Sequence, residues 1–220
     1  MGEGMIVSRW MDMILVLLML PSFVLLGSSR LHACIRMLAI QGLLLGLLPL
    51  LVQMRHLTVR MGLLAIAVIA LKGLILPHFL SEAMRKADVE HEVEPFIGFG
   101  SSMLLGVVAM MISFWLSSRL PLAGTPSAAL VVTVAFFNMF VGFILLVSRK
   151  KALTQVMGYL VLESGIYIFG VALALEMPVL VELGILLDVF VAVFVMAIMI
   201  LHISRTFDHI DTDQLSLLKE

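Results

Sequence analysis

Four ionisable residues lie inside long apolar stretches of this sequence, where charged side chains are rare: Lys72, Glu163, Glu182 and Asp188. Two of them share the stretch VELGILLDVFVA (181–192), which opens a longer apolar run. A charge at the centre of a bilayer costs at least about 2.5 kcal/mol, so such residues face the protein interior, are paired, or are neutral. A buried carboxyl that gains and loses a proton is the group that a proton relay requires. We therefore interpret the four residues as candidate members of a proton path.

The composition indicates that membrane-spanning helices carry these residues. Of the 220 residues, 62% are hydrophobic and 13% are charged, and the mean hydropathy is +1.16. Soluble domains are about half apolar and about one quarter charged. The apolar residues form blocks of about 18 to 25, the length of a helix that crosses the hydrocarbon core, without the alternation of a membrane β-barrel. The sequence thus predicts an all-α, polytopic membrane protein.

Seven spans are predicted, and prolines mark several of their ends. Pro126 and Pro178 stand at predicted helix starts, where a missing N–H costs little, and Pro77 is expected to close the third span. We divide the chain into a four-helix segment at 1–116 and a three-helix segment at 117–220 that ends in a short cytoplasmic tail. The predicted spans are 10–27, 37–54, 58–78, 96–116, 127–148, 152–175 and 178–204.

The distribution of Lys and Arg predicts an N-terminus outside the cell and a cytoplasmic C-terminus, because cytoplasmic loops carry an excess of these residues. With this orientation nine of the 14 Lys and Arg residues lie on the cytoplasmic side, four lie outside, and Lys72 is inside a span. The basic run at 149–151 is the strongest single signal. The one long loop, 79–95, is polar and mixed in charge, which is typical of a solvated connector; a docking surface for a partner is the alternative.

Glu163 and Asp188 are expected at the middle of the membrane. At a rise of about 1.5 Å per residue, Glu163 lies about 16 Å from the cytoplasmic end of its span and Asp188 about 15 Å from the outer end of the next. The two spans are joined by the tight turn LEMPV, so they are predicted to be antiparallel neighbours whose carboxyls share a proton or a water chain. Glu182 lies only about 6 Å from the outer end, about 120° around the helix from Asp188.

Each of these residues also has a purely structural interpretation. For Glu163 and Asp188 the alternative is a hydrogen bond between helices. For Lys72, in the inner half of the third span, it is a long side chain that reaches the cytoplasmic surface. For Glu182 it is a carboxylate in the first helical turn, which the helix dipole favours.

Neutral polar residues and glycines inside the spans indicate contacts between helices. Gln41 and Asn138 are typical of interhelical hydrogen bonds, and polar support of a proton path is the alternative. Gly42 and Gly46 form a small-xxx-small pair, which predicts close packing of the second span against a neighbour.

The sequence predicts no catalytic, metal or cofactor site in this chain. Cys34 is the only cysteine, which excludes an internal disulfide and an iron–sulfur cluster held by the usual four cysteines. The six histidines lie in loops or at span ends, whereas a buried haem would need them deeper in facing helices. A net charge of −1 gives no indication of nucleic-acid binding. The chain therefore has groups suited to moving protons and none for redox chemistry.

Several segments together resemble a known family. They are GYLVLESG (158–165), PVLVELGILLDVFVAVFVM (178–196), the tail FDHIDTDQLSLLKE (207–220), the spacing of Lys72 and Pro77, and Gln41 in the second span. In these segments, and over nearly its whole length, the sequence resembles component E of hydrogenase-4. That family consists of membrane subunits of complexes of the formate hydrogenlyase and energy-converting nickel–iron hydrogenase type.

The last three spans are also similar to the K subunit of respiratory complex I and to the C subunit of Mrp-type cation/proton antiporters. In those subunits two buried glutamates on consecutive spans belong to the central proton path. Glu163 matches the first of them. Asp188 falls near the second, but its side chain is shorter and its register is imperfect.

The resemblance implies a subunit of a bacterial or archaeal inner-membrane complex that contributes to proton translocation and holds no cofactor. Its implied partners are antiporter-like and heel subunits in the bilayer, and hydrophilic subunits that carry the iron–sulfur clusters and the nickel–iron centre. The redox catalysis would belong to those partners, and this chain would be a non-catalytic subunit of an oxidoreductase. Two alternatives are a scaffold subunit of the same membrane arm and a subunit of an Mrp-type antiporter.

Overall fold

The computed structural model describes residues 2–52, 59–86, 96–120 and 126–173, together with Gly184 and Val191. Apart from short connecting segments, the described residues are helical, in agreement with the predicted all-α class. The elements are α1 (Gly2–Gly27), α2 (Leu31–Val52), α3 (Val59–Val68), a π-helical segment (Ile69–Ile75), α4 (Leu76–Lys86), α5 (Phe99–Arg119), α6 (Pro126–Ser148) and α7 (Ala152–Leu173).

Six stretches of these helices are long and apolar enough to cross a membrane, which confirms a multi-pass membrane protein. The predicted seventh span, 178–204, lies outside the described residues except for Gly184 and Val191, which are helical. The orientation of the termini stays a prediction. The six stretches are Arg9–Gly27, Leu31–Leu51, Ala65–Arg85, Phe99–Arg119, Ala129–Ser148 and Ala152–Gly170.

The third span differs from its prediction at its C-terminal end. We expected Pro77 to close this span, but α3, the π-helical segment and α4 follow one another without a break to Lys86. The N–H of Leu76 bonds the carbonyl of Leu71, the wide i to i+5 spacing of a π-helix. Pro77 is therefore the second residue of α4, directly after the π-helical segment. Its ring removes one backbone N–H donor, but the helix continues on both sides of it.

Glycines bring α6 and α7 together along their length. A Cβ built on Gly165 would lie 2.6 Å from the backbone nitrogen of Met139, and one on Gly158 would lie 2.9 Å from that of Leu146. Side chains at these positions would collide with backbone, so the two helices form an antiparallel pair in backbone contact.

The second span is held in the same way by the glycine pair predicted from the sequence. A Cβ on Gly42 would lie 2.8 Å from the backbone nitrogen of Gly73, and one on Gly46 would meet the side chain of Ile69. The prediction of close packing is thus confirmed, and the neighbour is the third span at its π-helical segment. α2 also packs against α1 and α7, whereas its remaining face, with Ile40 and Leu47, is exposed.

Candidate functional site

Lys72 and Glu163 form an ion pair inside the bundle. The Nζ atom of Lys72 lies 3.3 Å from Oε2 of Glu163, and the two side chains are only 6% and 4% exposed. One residue comes from the π-helical segment of the third span and the other from α7. The structure thus brings together two of the four ionisable residues that the sequence indicated, and it places Lys72 within the protein, not at the membrane surface.

The local backbone explains why these two side chains meet. The Lys72 carbonyl and Gly73 nitrogen lie directly beside Gly42, so no side chain separates α2 from the π-helical segment. On the other partner, Gly165 lies against the α6 backbone and fixes the rotation of α7 two residues after Glu163. A π-helical segment also changes the angle at which successive residues leave the helix axis, and such segments are frequent at functional sites.

The pair has a chemistry that a lone carboxyl would lack. An ammonium and a carboxylate at this distance neutralise each other, which makes their burial tolerable. Addition of a proton to Glu163 would leave the ammonium of Lys72 as a single buried charge. The charge of Glu163 is therefore coupled to the position of Lys72.

A second, uncharged polar cluster joins three helices. We call Ser22 of α1, Gln41 of α2 and Asn138 of α6 the polar triad; all three are fully buried. Ser22 Oγ donates to Asn138 Oδ1 at 2.6 Å, and Gln41 Nε2 donates to the same oxygen at 2.7 Å. Asn138 Nδ2 in turn donates to the carbonyl of Val134 at 2.8 Å.

The triad and the ion pair lie at similar levels of the bundle. Gln41 directly precedes Gly42, which contacts the backbone of Lys72, and Asn138 directly precedes Met139, which contacts Gly165. Gln41 and Asn138, which the sequence indicated as interhelical contacts or polar support of a proton path, are therefore hydrogen-bonded to each other in the structure. Ser22 was missed, because a single serine in an apolar helix commonly bonds its own backbone and gives no signal.

The other two predicted members of the path, Glu182 and Asp188, lie outside the described residues. Their pairing with Glu163 stays a prediction. Within the same region Gly184 is described, and a Cβ built on it would lie 3.8 Å from the ring of Tyr167 on α7. Val191 is 5% exposed and belongs to the apolar core. Tyr167 is a buried residue that sequence reasoning did not select.

Arg149 is a further buried charge, placed at the cytoplasmic end of the predicted topology. It is 1% exposed, and its Nη2 donates to the carbonyl of Leu26 at 2.7 Å. Its guanidinium lies 4.5 Å from the ring centre of Phe99. A cation at the C-terminus of α1 interacts favourably with the carbonyls there. The sequence counted Arg149 only as an orientation signal, and nothing in its neighbours showed that it would be buried.

Within the described ranges, no group of three or more His, Cys, Asp or Glu residues could hold a metal ion. The buried polar groups of these ranges include one ion pair, one neutral triad, the guanidinium of Arg149 and the phenol of Tyr167. Together with the six apolar helices, this defines the chain as a polytopic helical membrane protein with ionisable groups inside its bundle.

The chain belongs to the hydrogenase-4 component E family. It is 30% identical to hydrogenase-4 component E of Escherichia coli K12 over 152 residues, which cover 67% of this chain and 68% of that protein, and the values for Shigella flexneri are the same. It is also 31% identical to an uncharacterized protein of Mycobacterium tuberculosis over 92% of this chain and 93% of the other. No family profile matches the chain, and no solved structure matches it.

Proposed function

We propose that this chain is a membrane subunit of a hydrogenase-4-type, complex I-like energy-converting complex, and that it contributes to proton translocation driven by electron transfer in partner subunits. The relatives named hydrogenase-4 component E support the type of complex. The observation that supports a role in proton transfer is the buried pair of Lys72 and Glu163, 3.3 Å apart. In the proposed assembly the partners are antiporter-like and heel subunits in the membrane and hydrophilic redox subunits outside it.

Glu163 is the lead proton carrier in this proposal, and Lys72 is its switch. While the ammonium lies beside it, the carboxylate is held in its charged form. When a rearrangement in the complex draws the ammonium away, burial favours the protonated carboxyl, and Glu163 takes a proton. Return of Lys72 expels that proton. Asp188 and Glu182, from the predicted seventh span, are the next carriers toward the outer side.

The π-helical segment supplies a physical basis for the movement of Lys72. Its hydrogen bonds join residues five apart, and π-helical segments occur mostly as single turns inside α-helices, frequently at functional sites. A change of one residue in the turn would rotate Lys72 by about 100° around the helix axis, the angle per residue of an α-helix. That rotation is enough to take the ammonium away from α7.

The test compares the wild-type complex with Glu163→Gln in inverted membrane vesicles, with proton uptake and electron transfer measured in parallel. The substitution keeps the size of the side chain and removes its titratable proton. We expect fewer protons per electron with the complex still assembled. Glu82→Gln is the matched control, because Glu82 forms its ion pair with Arg85 at the surface of α4. Unchanged proton uptake per electron in Glu163→Gln would refute the proposal.

A scaffold subunit is the second candidate function, and the polar triad favours it. Three helices converge on one acceptor, Asn138 Oδ1, and none of the three side chains is charged. Such a cluster locks helix positions without exchanging protons. If proton uptake per electron in Glu163→Gln equals that of wild type while the complex loses stability, this scaffold function replaces the first.

A further inference from the structure

A row of polar side chains on α7 leads from the basic end of the bundle to Glu163. Gln155, Tyr159, Glu163 and Tyr167 follow one another at intervals of four residues. Residues four apart on a helix are neighbours on one face, with Cβ atoms about 5–6 Å apart. A phenol and a carboxyl at this spacing are close enough for one water molecule to bridge them. The row therefore forms a polar strip that turns by about 40° per step around a mostly apolar helix.

The first two members of this strip are half-buried and the last two are buried. Gln155 and Tyr159 are half-buried, whereas Glu163 is 3% exposed and Tyr167 is 8% exposed. Gln155 Nε2 donates to the carbonyl of Arg149 at 3.0 Å, which ties the start of the strip to the loop that carries the basic run. The strip thus begins where water has access and ends within the core.

The composition of the chain makes this row unusual. The protein contains only two tyrosines, and they stand one turn before and one turn after Glu163. Elsewhere on α7, the hydroxyl of Ser164 donates to the carbonyl of Leu160 in its own helix at 2.7 Å, which leaves it outside the row. A phenol differs from such a serine because its hydroxyl lies far from the backbone and extends over the neighbouring turn.

We propose that Gln155 and Tyr159 form the route by which protons reach Glu163 from the end of the bundle that carries residues 149–151, and that Tyr167 continues the route toward the seventh span. The inference rests on the proposed function of Glu163. The Tyr159 hydroxyl gives its proton to the Glu163 carboxylate while its oxygen accepts another from the solvent side. The phenol is neutral before and after, and only O–H bonds are exchanged.

In this route Tyr167 is the contact with the seventh span, because its ring lies beside Gly184. Tyr167 follows Glu163 by one turn of α7, and Gly184 belongs to the predicted span that carries Glu182 and Asp188. Tyr159 and Tyr167 are thus relay groups on opposite sides of one carrier.

The experiment uses the intact complex in inverted vesicles and compares wild type, Tyr159→Phe and Ser164→Ala. Tyr159→Phe keeps the ring and removes the hydroxyl, and Ser164→Ala removes a buried hydroxyl from the same helix beside Glu163. We expect proton uptake in Tyr159→Phe to slow about fivefold, the factor equivalent to one hydrogen bond of about 1 kcal/mol. Ser164→Ala should retain the wild-type rate.

The ratio of uptake rates in H2O and D2O separates a relay from a packing role. Removal of a relay makes proton transfer to Glu163 the slow step, so the ratio should rise in Tyr159→Phe and stay at the wild-type value in Ser164→Ala. Gln155→Met serves as the second variant if Tyr159→Phe does not assemble, and the same rise in the ratio is expected.

The two proposals fail in different ways. If Glu163→Gln impairs uptake while Tyr159→Phe and Gln155→Met match Ser164→Ala in rate and isotope ratio, the route along α7 is wrong and Glu163 is supplied from elsewhere. If Glu163→Gln itself leaves uptake per electron unchanged, the proposed function is refuted together with the route. A slower rate with a raised isotope ratio in Tyr159→Phe supports the route.

Discussion

Removal of either charge of the buried pair should destabilise the protein far more than removal of a surface charge. At 3.3 Å and an effective dielectric constant of about 20, the attraction between Lys72 and Glu163 is about 5 kcal/mol. Desolvation of both groups offsets much of this, but removal of one partner from a buried pair typically costs about 3–5 kcal/mol. We expect costs in this range for Lys72→Met and for Glu163→Gln. The double variant should cost about as much as either alone.

A double-mutant cycle measures this coupling. The free energy of unfolding of each variant is obtained in mixed detergent micelles by titration with dodecyl sulfate, followed by circular dichroism. The control cycle uses Arg85→Met and Glu82→Gln, whose ion pair at 3.1 Å is exposed and joins residues three apart on α4. Its coupling should be about 0.3–0.5 kcal/mol. A coupling below about 0.5 kcal/mol for the buried pair would mean additive effects and would refute the interaction.

Three further substitutions test packing, the triad and the orientation. Gly165→Leu should cost about 1–3 kcal/mol in the same titration, because the new side chain collides with the α6 backbone; an unchanged free energy of unfolding would contradict that contact. Asn138→Leu removes the acceptor of Gln41 and should cost about 1–3 kcal/mol while proton uptake per electron is kept. A loss of uptake in an assembled complex would instead place the triad in the proton path. Lys150→Cys should react with a membrane-impermeant maleimide in inverted vesicles and not in intact cells, against a low background because Cys34 is 3% exposed; the opposite pattern would reverse the predicted orientation.

The helices could be predicted from the sequence because the bilayer imposes one requirement on every span. An apolar block of the right length must be helical, since its backbone has no water to bond. Four of the six described spans have both ends within five residues of their predicted bounds, whereas the second begins six residues early and the third ends seven residues late. The predicted end of the third span was wrong, because whether Pro77 ends the helix depends on the turn before it. A π-helical segment has no sequence signature that separates it from an α-helix.

The residues of the site could be predicted more readily than the contacts between them. Lys72 and Glu163 are conspicuous because charges in apolar spans are costly. Their pairing depends on the rotation of two helices that are distant in sequence. That rotation is set by backbone contacts at Gly42 and Gly165, which can be located only in three dimensions. For the same reason the sequence analysis predicted Asp188 as the neighbour of Glu163. It did not predict the contact between Glu163 and Lys72.

The separation of the two polar clusters explains how one bundle can be both rigid and responsive. The triad is neutral and hydrogen-bonded, so its geometry does not depend on proton transfer, and it fixes α1, α2 and α6 to one another. The ion pair joins the π-helical segment to α7 through two opposite charges. Gly42 links the triad to the ion pair, since it follows Gln41 and contacts the backbone of Lys72. In the proposed function, the triad and Gly42 therefore provide a fixed surface on α2, and a movement of Lys72 acts on Glu163 of α7.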